Sequence, residues 1–437
     1  MRPSVLILSN QFPPVNGTGA RRPYYLARQL ADEGHRVSVL STSAVESQAW
    51  LPDVTGIAVH TASKKSVQRD TNALQRALAR AHERLASYPG HGPLRLLADL
   101  ILPEGHLDRW DTLPHEVETL VGKHDIVLAT CPSWYHFRLA AQLAKRWGAM
   151  FIADYRDPWT VHIGSVSMGS LTNYGTGLAG RLRTWKMRRA ERKWPGQAFA
   201  ITAATGPFLE NALRATGVER GLMVHGGFDP SLLPVPHFRN DKFTLVYTGR
   251  LYDGQDWGTV LDAIDILRAS APDLDQVFRL DFHGAVSADS ALLQRLKDAG
   301  RVNGVIHFLP RSGREDALMA QQHADALLNV SMDLNNGWLP VKFLEYLGAG
   351  RPIILCVKSN DLTVDVVQRT RTGTVTTNAT ELAELLTTRL NEWRTGAEWR
   401  IYPDRTELNT FNYAYQMRIW TAKLREWFME FQQKGAS

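Results

Sequence analysis

Apolar positions along the chain fall into two kinds of stretch. Short unbroken runs, such as residues 5–8 (VLIL), suit strands buried on both faces of a parallel sheet. Between them, apolar residues recur at helical spacing, as with Tyr24, Leu26, Ala27, Leu30 and Ala31 in a helix starting near Ala20. Gly34 closes that helix, and 37–40 predicts the next strand, completing a βαβ unit. The pattern resumes with strands at 125–129, 150–153 and 198–201 and helices at 134–147 and 206–215. Residues 62–122 are less regular, with helices expected at 71–86 and 94–101 among loops rich in His, Pro and Gly. In the second half, strands are predicted near 244–247, 279–283, 306–309, 326–330 and 353–357. Helices near 258–270, 287–299, 314–323, 340–347 and 381–390 fall between or after them. A final helix, 411–433, carries Tyr415, Ile419, Leu424 and Phe428 among its apolar positions. Alternation of this kind predicts an α/β protein with parallel sheets flanked by helices.

At 437 residues the chain is too long for one ordinary core. Domains are expected at 1–232 and 243–407, joined by a linker, 233–242, that contains Pro234 and Pro236. The C-terminal helix, 408–437, is expected to pack back on the first domain. A hydrophobic content of 44% and a charged content of 22% are those of a soluble globular protein. No stretch approaches the roughly 18 uninterrupted apolar residues of a membrane span. The start of the chain lacks a signal-type pattern, so a cytoplasmic location is expected. The two cysteines, Cys131 and Cys356, are expected as buried free thiols. A net charge of +6 favours anionic partners, without choosing among nucleotides, phosphorylated lipids, a membrane face and nucleic acid.

Candidate chemistry gathers at the ends of predicted strands, where open α/β sheets bind ligands. The first strand runs into a loop with Gly17 and Gly19, followed by Arg21 and Arg22. These glycines lack the G-x-G-x-x-G spacing of dinucleotide sites. The strand at 150–153 delivers DYRDPW, with Asp154, Arg156 and Asp157. That cluster positions a hydroxyl or phosphate, or else forms an internal Asp–Arg lock with Trp159 as packing. The basic run 178–194, with Trp185 and Trp194, is either a face for an anionic membrane or a plain surface helix packed by its tryptophans. Gly249 and Arg250 leave the first strand of the second half, and Gly284 holds a comparable place later. Residues 337–352, GWLPVKFLEYLGAGRP, predict a helix with Pro340 at its first turn, stopped by Gly348 and Gly350. Its free N–H groups, with Lys342 and Glu345 on one face, suit a diphosphate and a diol. A solvated Lys–Glu pair is the plainer alternative.

In this order and spacing, these motifs resemble the family-four retaining glycosyltransferases of GT-B fold, over nearly the full length. DYRDPW is similar to a subset linked with surface-polysaccharide assembly. The resemblance implies two Rossmann-like domains facing a cleft, a nucleotide-sugar donor on the C-terminal domain, and a glycan or lipid-linked acceptor on the other. By position, Arg250 matches the diphosphate arginine, Glu345 the second Glu of E-x7-E, and Gly17 and Gly19 the N-terminal glycine loop. The amides around Trp338 and Leu339 fall where the family's backbone meets phosphates. Two positions depart from the pattern: Gly337 replaces the first Glu, and Gln255 replaces the phosphate lysine, whose charge Lys342 would supply. Arg156 or Asp157 stands where the family places an acceptor-side histidine. Arg250, Lys342 and Asp157 are therefore the expected catalytic groups, with Gly17, Gly19, Gly249, Gly284, Gly337, Trp338, Leu339 and Glu345 among the donor contacts and Arg21, Arg22, Asp154, Arg156 and Asp157 on the acceptor side. No metal, no other cofactor and no nucleic acid are expected. A GT-B epimerase and a non-catalytic nucleotide-sugar-binding protein are the alternatives.

Overall fold

The computed structural model describes residues 2–41, 50–62, 114–132, 135–160, 177–229, 231, 235–236, 238–251, 254–284, 290–310, 313–331, 337–358 and 361–436. The helices expected at 71–86 and 94–101 lie outside these residues. The chain forms two compact units, one holding the described residues up to 225 together with 417–436, the other 226–416.

The first unit is built on β1 (Val5–Ser9), β2 (Val37–Ser41), β3 (Ile57–Thr61), β4 (Ile126–Cys131), β5 (Met150–Tyr155), β6 (Ala200–Ala203) and β7 (Gly221–Met223). They lie in the order β3-β2-β1-β4-β5-β6-β7, parallel throughout. Every residue of β1, β2, β4 and β5 is buried, as strands covered on both faces require. The second unit holds β8 (Phe243–Thr248), β9 (Phe278–His283), β10 (Ile306–Leu309), β11 (Ala326–Val330), β12 (Ile353–Cys356) and β13 (Gly373–Thr376), in the parallel order β10-β9-β8-β11-β12-β13. Strand order reverses between β1 and β4 and between β8 and β11. Those switch points are where such sheets open a ligand crevice.

Two boundaries and one helix face differ from the sequence pattern. The units divide after His225, ahead of residue 232, because Phe228 pairs and Gly226 and Gly227 pack within the second unit. Phe228 N donates to Phe411 O at 2.9 Å, and Tyr413 N donates to Phe228 O at 3.1 Å. A Cβ on Gly227 would stand 2.7 Å from Tyr413 N, so only glycine fits that close approach. Second, the helix Val341–Ala349 continues through Gly348, which faces the Phe228 side chain, and ends at Gly350 with φ 73°. Pro340 is its N-cap rather than its first turn. Third, the inward face of the C-terminal helix (Tyr413–Ala436) is Met417, Trp420, Leu424 and Trp427, whereas Tyr415 and Ile419 are exposed. Its Thr421 hydroxyl donates to Glu33 Oε1 at 2.6 Å, holding the helix to the first unit.

Candidate functional site

In the second unit, β8 ends at Thr248, and Gly249 turns the chain with φ 85°, a conformation that costs glycine little. Arg250 follows, exposed. Tyr346 Oη accepts from Thr248 N at 2.8 Å, which pins the Val341–Ala349 helix to the strand end. One turn earlier on that helix, Lys342 Nζ donates to Arg250 O at 2.9 Å and also to the Tyr247 hydroxyl, 4.0 Å from that ring's centroid. Burial draws the Lys342 pKa down to about 7. Gln255, at the family's lysine position, is turned inward, its Nε2 donating to Val330 O at 2.7 Å. It ties β11 to β8 and presents no group to a phosphate. Lys342 stands beside Arg250 instead.

The start of this helix has no side-chain cap, so its first-turn amides find no partner within the helix. Gly337, buried with φ 73°, leads into partly buried Trp338 and buried Leu339. Glu345 lies one turn beyond the helix start. Its Oε1 is 3.6 Å from Arg314 Nε, and Arg314 Nη1 is 3.5 Å from Asp229 Oδ2. Neither Arg314 nor Asp229 is legible as a site residue from sequence patterning. The available signal was an arginine opening the helix Arg314–His323, where a cation opposes the helix dipole. Gly284, with φ 65°, donates to Leu309 O at 3.2 Å, and Gly249 N donates to His283 O at 3.0 Å. These bonds join the ends of β8, β9 and β10.

In the first unit, Gly17 caps the helix Thr18–Asp32 at the end of β1. A Cβ on Gly19 would lie 2.5 Å from Arg156 Nη1 and 2.6 Å from Gln11 Oε1. Arg156 Nη1 donates to Gly19 O at 2.8 Å, and its Nε lies 3.3 Å from Asp157 Oδ2. Arg156 and Asp157 are partly exposed, and they meet the glycine loop at the carboxyl ends of β1 and β5. His136, buried next to this group, is pushed down to about 3 by burial, and the Arg156 charge acts in the same direction.

The other three acceptor-side candidates are built into the fold. Asp154 lies within β5, fully buried, and its carboxylate accepts from Arg22 Nη2 at 2.7 Å and from the Thr130 and Thr202 hydroxyls at 2.8 Å each. Arg22 also donates to Val224 O at 2.6 Å and stacks over Trp420 at 4.4 Å. Arg21 is buried over Trp50, 3.9 Å from its ring centroid, and donates to Asn16 Oδ1 at 2.8 Å. This is the internal lock, formed by Arg22 rather than Arg156.

The sequence matches no protein-family model and no curated protein. Solved structures do match. Anabaena HepE in complex with UDP and glucose shares 13% identity and a TM-score of 0.60, covering 97% of this chain and 99% of its own. Sucrose-phosphate synthase from Thermosynechococcus elongatus shares 13% identity with a TM-score of 0.60, covering 98% of this chain and 100% of its own. The α,α-trehalose-phosphate synthase (UDP-forming) from Burkholderia vietnamiensis shares 12% identity with a TM-score of 0.56, covering 97% and 100%. The fold is GT-B. In GT-B terms, the second unit is the C-terminal Rossmann-like domain, and β8, β11 and the Val341–Ala349 helix line its switch point.

Proposed function

We propose that this protein is a retaining glycosyltransferase. It moves a sugar from a nucleotide-sugar donor to a hydroxyl of a lipid-linked or growing glycan in surface-polysaccharide synthesis. The observation that carries this is one short helix: uncapped amides and Lys342 beside Arg250 at its start, Glu345 one turn on. In this reading the amides, Arg250 and Lys342 hold the diphosphate, and Glu345 takes the ribose diol. Solved GT-B neighbours in complex with UDP and with UDP-glucose support a nucleotide-sugar as the donor. The acceptor oxygen attacks the anomeric carbon from the face the diphosphate leaves. The C–O bond to the diphosphate breaks, and the hydroxyl proton passes to the departing oxygen. Charge grows on that diphosphate, where two cations and oriented amides stabilise it. Arg156 and Asp157 orient the acceptor.

Membrane contact at the inner face fits the helix Gly177–Lys193. Its described outward positions include Arg181, Trp185, Arg188, Arg189 and Arg192, while Lys186, Ala190 and Glu191 are buried. Trp185 is 60% exposed, which disfavours the alternative of a surface helix packed by its tryptophans. A tryptophan ringed by arginines suits an anionic lipid surface. Liposomes containing anionic lipid should co-sediment the protein, and changing Arg188, Arg189 and Arg192 to Glu should abolish this; unchanged sedimentation would remove the membrane from the proposal.

A panel of UDP-, GDP- and dTDP-sugars, with and without a lipid-linked acceptor, tests the reaction. Acceptor-dependent transfer lost in Arg250→Ala and Glu345→Ala is the expected result. Isomerisation without acceptor indicates an epimerase. Binding without turnover indicates the non-catalytic protein that Gly337, in place of an acid, would favour.

A further inference from the structure

The amino-terminal strand ends of the first unit carry a group of charges that glycosyl transfer does not use. Arg2 precedes β1, Arg36 precedes β2, Lys123, His124 and Asp125 precede β4, and Trp147 precedes β5. Together they line a cavity of about 480 Å³. The glycine loop, Arg156 and Asp157 stand at the other ends of the same strands.

The cavity has an excess of positive charge. Arg2, Arg36 and Lys123 face a single carboxylate, Asp125, whose Oδ2 already accepts from Ser4 N and Ser4 Oγ at 2.7 Å each. Among the described residues, no carboxylate lies within ion-pair distance of Arg2 or Arg36. Lys123 has Glu118 at 3.9 Å, a separation worth little at an exposed site. One N–H of Arg36 donates to the Lys123 backbone O at 2.6 Å, which holds the guanidinium at the start of β4. His124 adds no charge. Its Nδ1 meets Gly122 O at 3.1 Å and its Nε2 meets Ser38 Oγ at 2.9 Å, while burial and the Arg36 charge bring its pKa to about 4. A plainer role for basic residues at these ends is to complement helix carboxyl termini, as Lys145 and Arg146 do in the helix Tyr135–Trp147. That role requires no cavity lined by three cations and a single carboxylate.

We propose that this cavity is a second anion site, taking a small phosphorylated molecule with at least two negative charges between Arg2, Arg36 and Lys123, against the flat wall of Trp147. Its volume lies in the range of small-molecule pockets, about 300–1,000 Å³. Arginine supplies the planar fork that grips phosphate oxygens, and lysine the point charge beside it. The site is independent of the donor site, so neither proposal depends on the other.

Calorimetric titration of the full-length protein with inorganic pyrophosphate tests this, using wild type, Arg250→Ala to weaken the donor site, and the double variant Arg36→Gln/Lys123→Gln made in the Arg250→Ala background. Both residues of the double variant are exposed, so the fold should tolerate the change. Saturable binding that survives Arg250→Ala and weakens at least tenfold in the double variant is expected. Equal binding by Arg250→Ala and the double variant, or no saturable binding by Arg250→Ala, overturns the site. Parallel titrations with a sugar monophosphate and with UDP rank the occupants. A melting scan of the double variant guards the comparison: loss of binding counts only with an unchanged transition. Should the transition shift, Trp147→Phe, probed by fluorescence change on adding pyrophosphate, gives the same decision.

Discussion

Each unit holds an arginine–carboxylate pair near the carboxyl ends of its strands, and the two pairs have opposite characters. Arg22 and Asp154 lie 2.7 Å apart with side chains 3% and 0% exposed, and two threonine hydroxyls complete the carboxylate's partners. Arg314 and Glu345 lie 3.6 Å apart, beyond hydrogen-bond length, with side chains 16% and 19% exposed. The first pair is saturated and has nothing left for a ligand. The second is looser, and both of its side chains remain partly open to solvent. Charge type and strand-end position are alike in the two units; the pairs differ in how closely their partners meet and how deeply they are buried.

The largest expected effect comes from cutting the saturated pair. Asp154→Ala leaves the Arg22 guanidinium buried and unpaired, which should cost about 3–5 kcal/mol of unfolding free energy in urea titration. A loss below about 1 kcal/mol would dissolve the contrast. Glu345→Ala should do the reverse, leaving stability within about 1 kcal/mol while raising the donor Kd tenfold or more, about 1.4 kcal/mol. Equal donor affinity in wild type and variant would place the ribose elsewhere. Gly19→Ala sharpens the comparison within the first unit. Its Cβ would press on the ends of Arg156 and Gln11, so turnover should fall severalfold while nucleotide affinity stays the same. The smallest effect is in pH dependence. With a pKa drawn from 10.5 to about 7, folded Lys342 gives up its proton near neutrality, whereas the unfolded lysine keeps its own to about pH 10. Between those limits the unfolded chain binds more protons, so stability rises with pH and the penalty is complete below 7. Lys342→Met should abolish that rise. A diphosphate favours the charged amine, so donor binding should weaken above pH 7 in wild type and show no such trend in the variant, as calorimetry in buffers of different ionisation enthalpy would reveal.

Much of the fold is legible in the sequence because parallel strands buried on both faces are forced into apolar runs. The predicted strands 306–309 and 326–330 coincide with β10 and β11 residue for residue. β13 escapes that logic: its sequence, GTVT, pairs at the sheet edge, and Gly373 is needed because the Ile353 carbonyl passes where a Cβ would sit. β3 is missed for a similar reason, being an edge strand with only Ile57 buried. At the site, the Lys342–Glu345 helix is readable from its punctuation. Arg314 and Asp229 are not, because they reach Glu345 from separate parts of the chain. The DYRDPW stretch shows the limit most clearly. Its strand runs two residues further than its apolar pattern, burying Asp154, and the partner that claims it lies on a helix more than a hundred residues earlier.

The C-terminal helix gives the chain an unusual order of completion. Trp420 covers Arg22, and Thr421 holds Glu33, yet all of the second unit must be synthesised between the last strand of the first sheet and these residues. At roughly 5–20 residues per second, that interval is on the order of ten to forty seconds. For that time the guanidinium at the centre of the first unit lacks its aromatic cover. The unit that begins first therefore finishes last, and a ribosome that stops short of the final helix releases a protein whose second sheet is complete but whose Arg22 lacks Trp420 and whose Glu33 lacks Thr421.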